Sequence, residues 1–514
     1  MDLILAKNEY RSVQVVFDSY AVTEESGDAI VPDYCPDMIR IAETSAELEL
    51  TGKEIRGGRV FAEGLVHAGA IYVPETDFGI FSIPVTIPVT QTFDISALNE
   101  DKIEQVSVSA EIVSVSAREL NPRKVSVKAT VSFRCTVYSS DVITLSTDIA
   151  DAELYGVEYK KEPVYGQYMT FCNEKMLSIS DSSELNDFRP GELEILKLSS
   201  TPEITDCKLI TDKIVLKGEM SVSMLVRTGD QTRPVASAET VFPFSGVIDC
   251  RGVRPESKIK QYCRILSSKY KITEEAGTGK ALLVMSADIS VFTEVWEALE
   301  AEIIVDAYAV KNNYELKSIP LSLSGGNEEI TLKEQIKESI SAGVGIRSVY
   351  SCSVNAANPS TQREDGRTNA CCDAKLKIIF EADDGGIYSL SKNIPVCCAI
   401  DTDTEVRAVY AKAVDDSFHI SGNEDIELRF SVEFVIEHGG ILSLTQVDSI
   451  VLGESSGGIR TPALTLCYAD PDEKVWDMAK RLRAAAADIV RANGLADDCL
   501  PQGRLLLVPR GGRK

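Results

Sequence analysis

The 514-residue chain reads as a mainly β protein: three tandem antiparallel β-sandwich-like repeats, followed by a small C-terminal βααβ domain. Three observations predict this. Long segments alternate apolar and polar residues with period two, the pattern of a strand with one buried face. A proline-marked apolar element recurs three times at intervals of roughly 150 residues. After residue 463 the pattern shifts to two helical segments between two short strands.

The alternation is clearest in Val125-Ser126-Val127-Lys128-Ala129-Thr130-Val131-Ser132-Phe133-Arg134-Cys135, and comparable strands run over 213–226, 281–295 and 426–436. Gly79-Ile80-Phe81-Ser82-Ile83, with Ile87-Pro88-Val89, reappears as Gly386-Ile387-Tyr388-Ser389-Leu390, with Ile394-Pro395-Val396. Val241-Phe242-Pro243-Phe244 is the intermediate copy. Proline has no N–H for a ladder, so Pro88, Pro243 and Pro395 predict the same edge strand or bulge in each copy. Gly57-Gly58, Thr228-Gly229-Asp230 and Asp383-Asp384-Gly385-Gly386 supply turns. These signals divide the chain into repeats over 1–150, 165–310 and 311–452, a flexible linker over 453–462 and a terminal domain over 463–510. Between the second and third repeats, residues 330–340 permit a short amphipathic helix through Leu332, Ile336 and Ile340, or a strand.

The net charge is −26, from 53 Lys+Arg against 79 Asp+Glu, which repels nucleic-acid phosphates and anionic membrane surfaces. From Ala463 onward, nine basic residues face seven acidic ones, so the last segment is about +2 and the rest about −28. The first residues carry no signal-peptide pattern, and no apolar stretch is long enough to span a bilayer, so a cytoplasmic location is expected.

Thirteen cysteines, an odd number, fit free thiols in a reducing compartment. Cys371-Cys372 and Cys397-Cys398 lack the two-residue spacing of zinc ligands and read as buried structural thiols.

No catalytic constellation emerges. His67, His419 and His438 lie in separate segments without metal or nucleophile partners at motif spacing. Thr278-Gly279-Lys280 is too short for a phosphate loop and reads as a turn, and Asp383-Asp384 and Asp415-Asp416 are adjacent pairs within turns. No enzyme activity, cofactor or metal is expected.

In the terminal segment, Tyr468, Asp472, the run from Val475-Trp476-Asp477-Met478-Ala479 to Lys480-Arg481, Asp488-Ile489-Val490, Ala492-Asn493-Gly494-Leu495, Leu500, Gly503, Leu505 and Leu507-Val508-Pro509 together resemble a LysM domain. That resemblance implies a βααβ fold which often binds N-acetylglucosamine-containing glycans through the loops before the first helix and after the second. It makes Asp472, Glu473, Lys474, Asn493 and Leu495 the candidate partner or glycan contacts. Pro471-Asp472-Glu473-Lys474-Val475 departs from the usual Gly-Asp-Thr-Leu-like entry, and Ala484-Ala485-Ala486-Ala487 replaces the usual turn between the helices. Trp476 reads as a core residue packing both helices on the sheet.

Pro36-Asp37-Met38-Ile39-Arg40-Ile41, Pro243-Phe244-Ser245-Gly246-Val247-Ile248-Asp249 and Asn121-Pro122-Arg123-Lys124 resemble the SPOCS domain of spore-forming Firmicutes. SPOCS repeats followed by one LysM resemble the SipL family of clostridial spore-coat morphogenetic proteins. The family implies an adaptor in the mother-cell cytosol, at the forespore surface, that binds the morphogenetic ATPase SpoIVA. The alternative is a cell-wall protein whose LysM-like module binds peptidoglycan.

Overall fold

A computed structural model describes residues 1–75, 79–185, 188, 193–230, 234–275, 279–325, 328–364, 366–455, 463–496, 498–501 and 503–509. It is mainly β, with 77% of residues in strands and 5% helical.

Six strands form the first unit: β1 (Leu5–Ile30), β2 (Met38–Ile55), β3 (Arg59–Pro74), β4 (Phe81–Asp94), β5 (Ile103–Asn121) and β6 (Lys124–Ile149). They make two antiparallel sheets, β1-β6-β5 and β2-β3-β4. The period-two pattern decides which face turns inward. Val125, Val127, Ala129, Val131, Phe133, Cys135 and Val137 are fully buried along β6, opposite Val85, Ile87 and Val89 of β4. Each such large apolar side chain contributes roughly 1.5–3 kcal/mol on leaving water.

A short helix, α1 (Ala152–Tyr155), leads to the second unit: β7 (Val157–Leu185), β8 (Glu194–Ile210), β9 (Lys213–Arg227), β10 (Val235–Asp249), β11 (Lys258–Glu274) and β12 (Ala281–Ala309). Its sheets, β7-β12-β11 and β8-β9-β10, repeat the strand order of the first. The third unit has β13 (Asn312–Ser324), β14 (Glu328–Ser341), β15 (Ile346–Glu364), β16 (Arg367–Ala382), β17 (Ile387–Ile400), β18 (Val406–Ser421), β19 (Asp425–His438) and β20 (Ile441–Ser455). Here the two long strands are each broken, β13 from β14 and β19 from β20, where Gly325 donates its N–H to the Gly440 carbonyl at 2.9 Å. The body sheets are β14-β19-β18 and β15-β16-β17. Residues 330–340 are therefore strand rather than helix, because Leu332, Ile336 and Ile340 pack on the third core from β14. β7 begins at Val157, ahead of the expected start at residue 165.

Strand register aligns the units residue by residue. Tyr72 pairs with Phe81, Val226 with Ala236 and Phe380 with Tyr388. Counted from those pairs, Pro88, Pro243 and Pro395 occupy one position on β4, β10 and β17, the outer strand of each three-stranded sheet. The missing N–H thus points away from the ladder. Gly64 and Gly218 also coincide. A Cβ on Gly218 would lie 2.2 Å from the Phe244 ring and 2.5 Å from the Glu203 carbonyl oxygen, so only glycine fits. The third unit has Cys372 at that position.

The same register corrects the thiol expectation. Cys371 lies directly opposite Cys397, with Cα atoms 4.1 Å apart, and the two form a disulfide. The corresponding pairs are Glu63 with Thr90 and Lys217 with Ser245, so the crosslink belongs to the third unit alone. Sequence spacing could not reveal it, because only the hairpin register brings the two sulfurs together.

The long strands extend past each body as two-stranded arms, and the three arms pack together. Ile149 of β6, Val157 of β7, Ile304 of β12 and Ile450 of β20 share one buried cluster. Ile143, Val164, Leu299 and Leu321 share a second. Gln446, 2% exposed, accepts from the Ser146 N–H at 3.0 Å and donates to the Thr144 carbonyl at 2.7 Å, satisfying backbone between two arms. At the far end the bodies meet through residues at equivalent positions: Ile71, Leu225 and Ile379, with Ile80, Val235 and Ile387. Lys197 reaches Glu43 at 2.7 Å across this junction. The three units therefore enclose a pseudo-threefold axis within one chain.

Candidate partner-binding site

Beyond β20 the chain folds as β21 (Leu464–Cys467), α2 (Val475–Leu482), α3 (Ala486–Asn493) and β22 (Leu506–Pro509), with β21 antiparallel to β22. The expected linker at 453–462 is corrected at its start, since β20 continues through Ser455 and Gly453 accepts from the Asn312 side chain at 3.3 Å. Residues 456–462 lie outside the described residues.

The module does not swing free. Its core of Val475, Met478, Ala479, Ala484, Ile489, Leu500, Leu506 and Val508 also contains Tyr308 of β12. The fully buried Tyr308 donates its hydroxyl to the Ala484 carbonyl at 2.9 Å. Trp476, read from the sequence as a core residue packing both helices on the sheet, does pack against this core, but at its margin and with the second arm as a further partner. It is partly buried, its ring meets Tyr308 edge-on at 5.0 Å, and its indole N–H donates to Asp306 at 2.8 Å. Lys480 donates to both Asp306 oxygens, at 2.6 and 2.8 Å. Trp476 thus fastens the module to the second arm, because the module's helices are too short to enclose an indole alone.

The five candidate contacts divide into framework and surface. Asn493 is buried and fully engaged: its amide donates to the Ile489 and Leu507 carbonyls at 2.9 and 2.7 Å and accepts from the Leu507 N–H at 2.8 Å. It ties α3 to β22 and has no group left for a ligand. Glu473 forms a two-pronged pair with Arg481 at 2.8 Å, and the Arg481 hydrogen bond holds its carboxyl below the usual carboxylate range. Leu495 packs against the module core. Asp472, at φ +60°, and Lys474 remain on the surface. The loops before α2 and after α3 lie side by side, joined by Val475 N–H to the Asp498 carbonyl at 3.0 Å and by a bridge between Lys474 and Cys499.

A feature missed in the sequence dominates the opposite side. On the face of β21 and β22 turned away from the helices stand Leu464, Leu466 and Tyr468, 50%, 54% and 60% exposed, with Leu505 and Leu507 beside them. Leu466 pairs directly with Leu507 across the strands. The inward residues Leu506 and Val508 are fully buried, so both faces of this ribbon are apolar. The run Leu505-Leu506-Leu507-Val508 carried that signal, since it lacks the alternation of a half-exposed strand.

Elsewhere the histidines stay apart. His67 pairs with Glu49 at 2.8 Å, His419 with Glu427 at 3.4 Å, and His438 shares a 2.6 Å hydrogen bond with Thr404. Among the described residues, no three His, Cys, Asp or Glu side chains are grouped to hold a metal ion, and no helix is long and apolar enough to cross a membrane.

The resemblance motifs of the first unit interlock. Arg123 pairs with Asp37 at 2.6 Å and donates to the Val31 and Pro32 carbonyls at 3.0 and 3.1 Å, while Met38 N–H meets the Pro122 carbonyl at 2.9 Å. The fold is thus that of a mainly β protein in which one strand order occurs three times. Comparison with known families gives the particular class: the family model described as SipL, SPOCS domain, matches residues 37–120 and 193–273. Two segments of the chain are thus similar to the SPOCS domain of SipL. The matched segments are the β2–β5 and β8–β11 parts of the first two units, without the long arm strands. No curated protein and no solved structure matches the chain.

Proposed function

We propose that this protein is a non-catalytic scaffold of spore-coat assembly, located on the mother-cell side of the forespore, and that its LysM-like C-terminal module binds a morphogenetic protein partner. The resemblance to SipL makes SpoIVA the partner to test. The SPOCS match supports the spore-coat setting. The uncovered apolar face of β21 and β22 carries the partner reading: such a contiguous patch is the surface a protein interface covers, whereas sugar sites need convergent polar groups beside their apolar platform.

The experiment is co-purification of the full chain with SpoIVA, comparing wild type with the double substitution Leu466→Arg and Leu507→Arg. Both side chains already point to solvent, so the module keeps its helices while capture is lost. Undiminished capture by a folded double variant overturns the proposal. The adjacent loops at Lys474 and Cys499 favour a second reading, peptidoglycan binding, which sedimentation with purified wall material tests.

A further inference from the structure

A cavity of about 1290 Å³ opens where the outward faces of all three units meet around the pseudo-threefold axis, between the bodies and the arms. Its wall is built from strands whose other faces form the cores. Tyr138 of β6 and Phe292 of β12 lie with ring centroids 5.2 Å apart, and Trp296 stands beside them. Among them is Glu294, only 7% exposed, accepting from the Tyr138 hydroxyl at 2.9 Å and the Trp296 indole at 3.2 Å.

Other acids on this wall carry ion pairs. Asp18 pairs with Arg134 at 2.8 Å, and Lys260, which faces Glu294 across the β11–β12 ladder, gives its ion pairs to Glu437 and Glu329 at 3.2 Å; Glu294 itself forms no ion pair among the described residues. Two neutral donors compensate a buried carboxylate only in part. A second observation points inward: the Ser12 hydroxyl, on a residue 1% exposed, lines the cavity with no hydrogen-bond partner, as does the Gln167 carbonyl oxygen.

We propose that this chamber takes up the lysine or arginine side chain of an extended basic segment of a protein partner, with Glu294 as its counter-charge. The aromatic faces of Tyr138, Phe292 and Trp296 solvate such a cation. Ser12 and Gln167 supply further acceptors on the same wall for donors of that segment. The −26 net charge steers a basic segment toward the opening. A neutral sugar would leave the Glu294 charge uncompensated. This site is separate from the apolar face of the terminal module, so either can fail without the other.

The test uses the full chain and fluorescein-labelled hexalysine, read by anisotropy and by quenching of tryptophan emission. Glu294→Gln is expected to weaken binding about tenfold or more, the loss of one desolvated charge pair. Glu300→Gln, an exposed carboxylate on the β12 arm, is the control and should change binding less than twofold. Because Glu294→Gln could perturb the fold, wild type is also titrated in about 0.5 M salt, where contacts to exposed acids are screened. Retained quenching, surviving in Trp476→Phe, supports the chamber. Equal affinities of the two glutamine variants, or loss of all quenching at high salt, overturn the proposal, as does binding of an N-acetylglucosamine hexamer that Glu294→Gln abolishes while hexalysine binding persists.

Discussion

Asp306 is the hinge on which the terminal module's position depends. It lies on β12, its side chain 24% exposed, and takes the Trp476 indole N–H at 2.8 Å and the Lys480 ammonium at 2.6 Å. The Lys480 pair is half-solvated and is worth about 0.5–1 kcal/mol. The indole bond to a carboxylate, beside the edge-on contact of Trp476 with Tyr308, adds about 1.5 kcal/mol. Asp306→Ala should therefore weaken docking by about 2 kcal/mol, a factor near 30. In a Trp296→Phe background Trp476 is the only tryptophan of the two in the chain, so its emission reports docking directly. Urea titration of the alanine variant should show an early red-shifting transition, with Trp476 leaving Tyr308 before the β units unfold. Asp306→Asn keeps the acceptor but loses the charge, and should move that transition by less than half as much. A single transition at the wild-type midpoint in Asp306→Ala would refute the reasoning and leave Tyr308 packing as the attachment.

Asn493→Leu leaves the Leu507 N–H and two carbonyls without their partner and should destabilise the module by about 2–4 kcal/mol, seen as loss of its calorimetric transition while the β units stay folded. Denatured protein without reductant should titrate eleven thiols, and thirteen after reduction, reflecting the Cys371–Cys397 bond; thirteen in both states would disprove the crosslink. Burial lifts the Glu294 carboxyl above its ordinary value of 4.5, so folded protein takes up this proton before unfolded chain does. The group's contribution to stability accordingly grows as pH falls from neutrality through the raised value and is complete below 4.5. Glu294→Gln, neutral throughout, should differ from wild type most near neutral pH and progressively less toward 4.5 in urea midpoints; a pH-independent difference would refute the assignment.

Alternation of apolar residues was enough to place β6, β9, β12 and β19, because a strand with one buried face has a two-residue period that needs no knowledge of its neighbours. The spacing of Pro88, Pro243 and Pro395 made the tandem organisation legible, since a residue without an N–H is confined to an outer strand wherever the topology recurs. Residues 330–340 show where the pattern fails: Leu332, Ile336 and Ile340 fall at intervals of four, which satisfies a helix and every second position of a strand alike. Pairing with β19 selected the strand.

For the site, the sequence marked the terminal module but not what its residues do. Asp472 and Lys474 stand on the surface, whereas Asn493 and Glu473 hold the module's own framework. The order of residues determined strands of known facing and a different C-terminal segment, and composition an acidic body. Tertiary structure alone decided the rest: the Cys371–Cys397 register, the Trp476–Asp306 attachment, and the chamber at Glu294. Each joins residues far apart in the chain, and such contacts are fixed by how sheets pair and units pack, not by any local period.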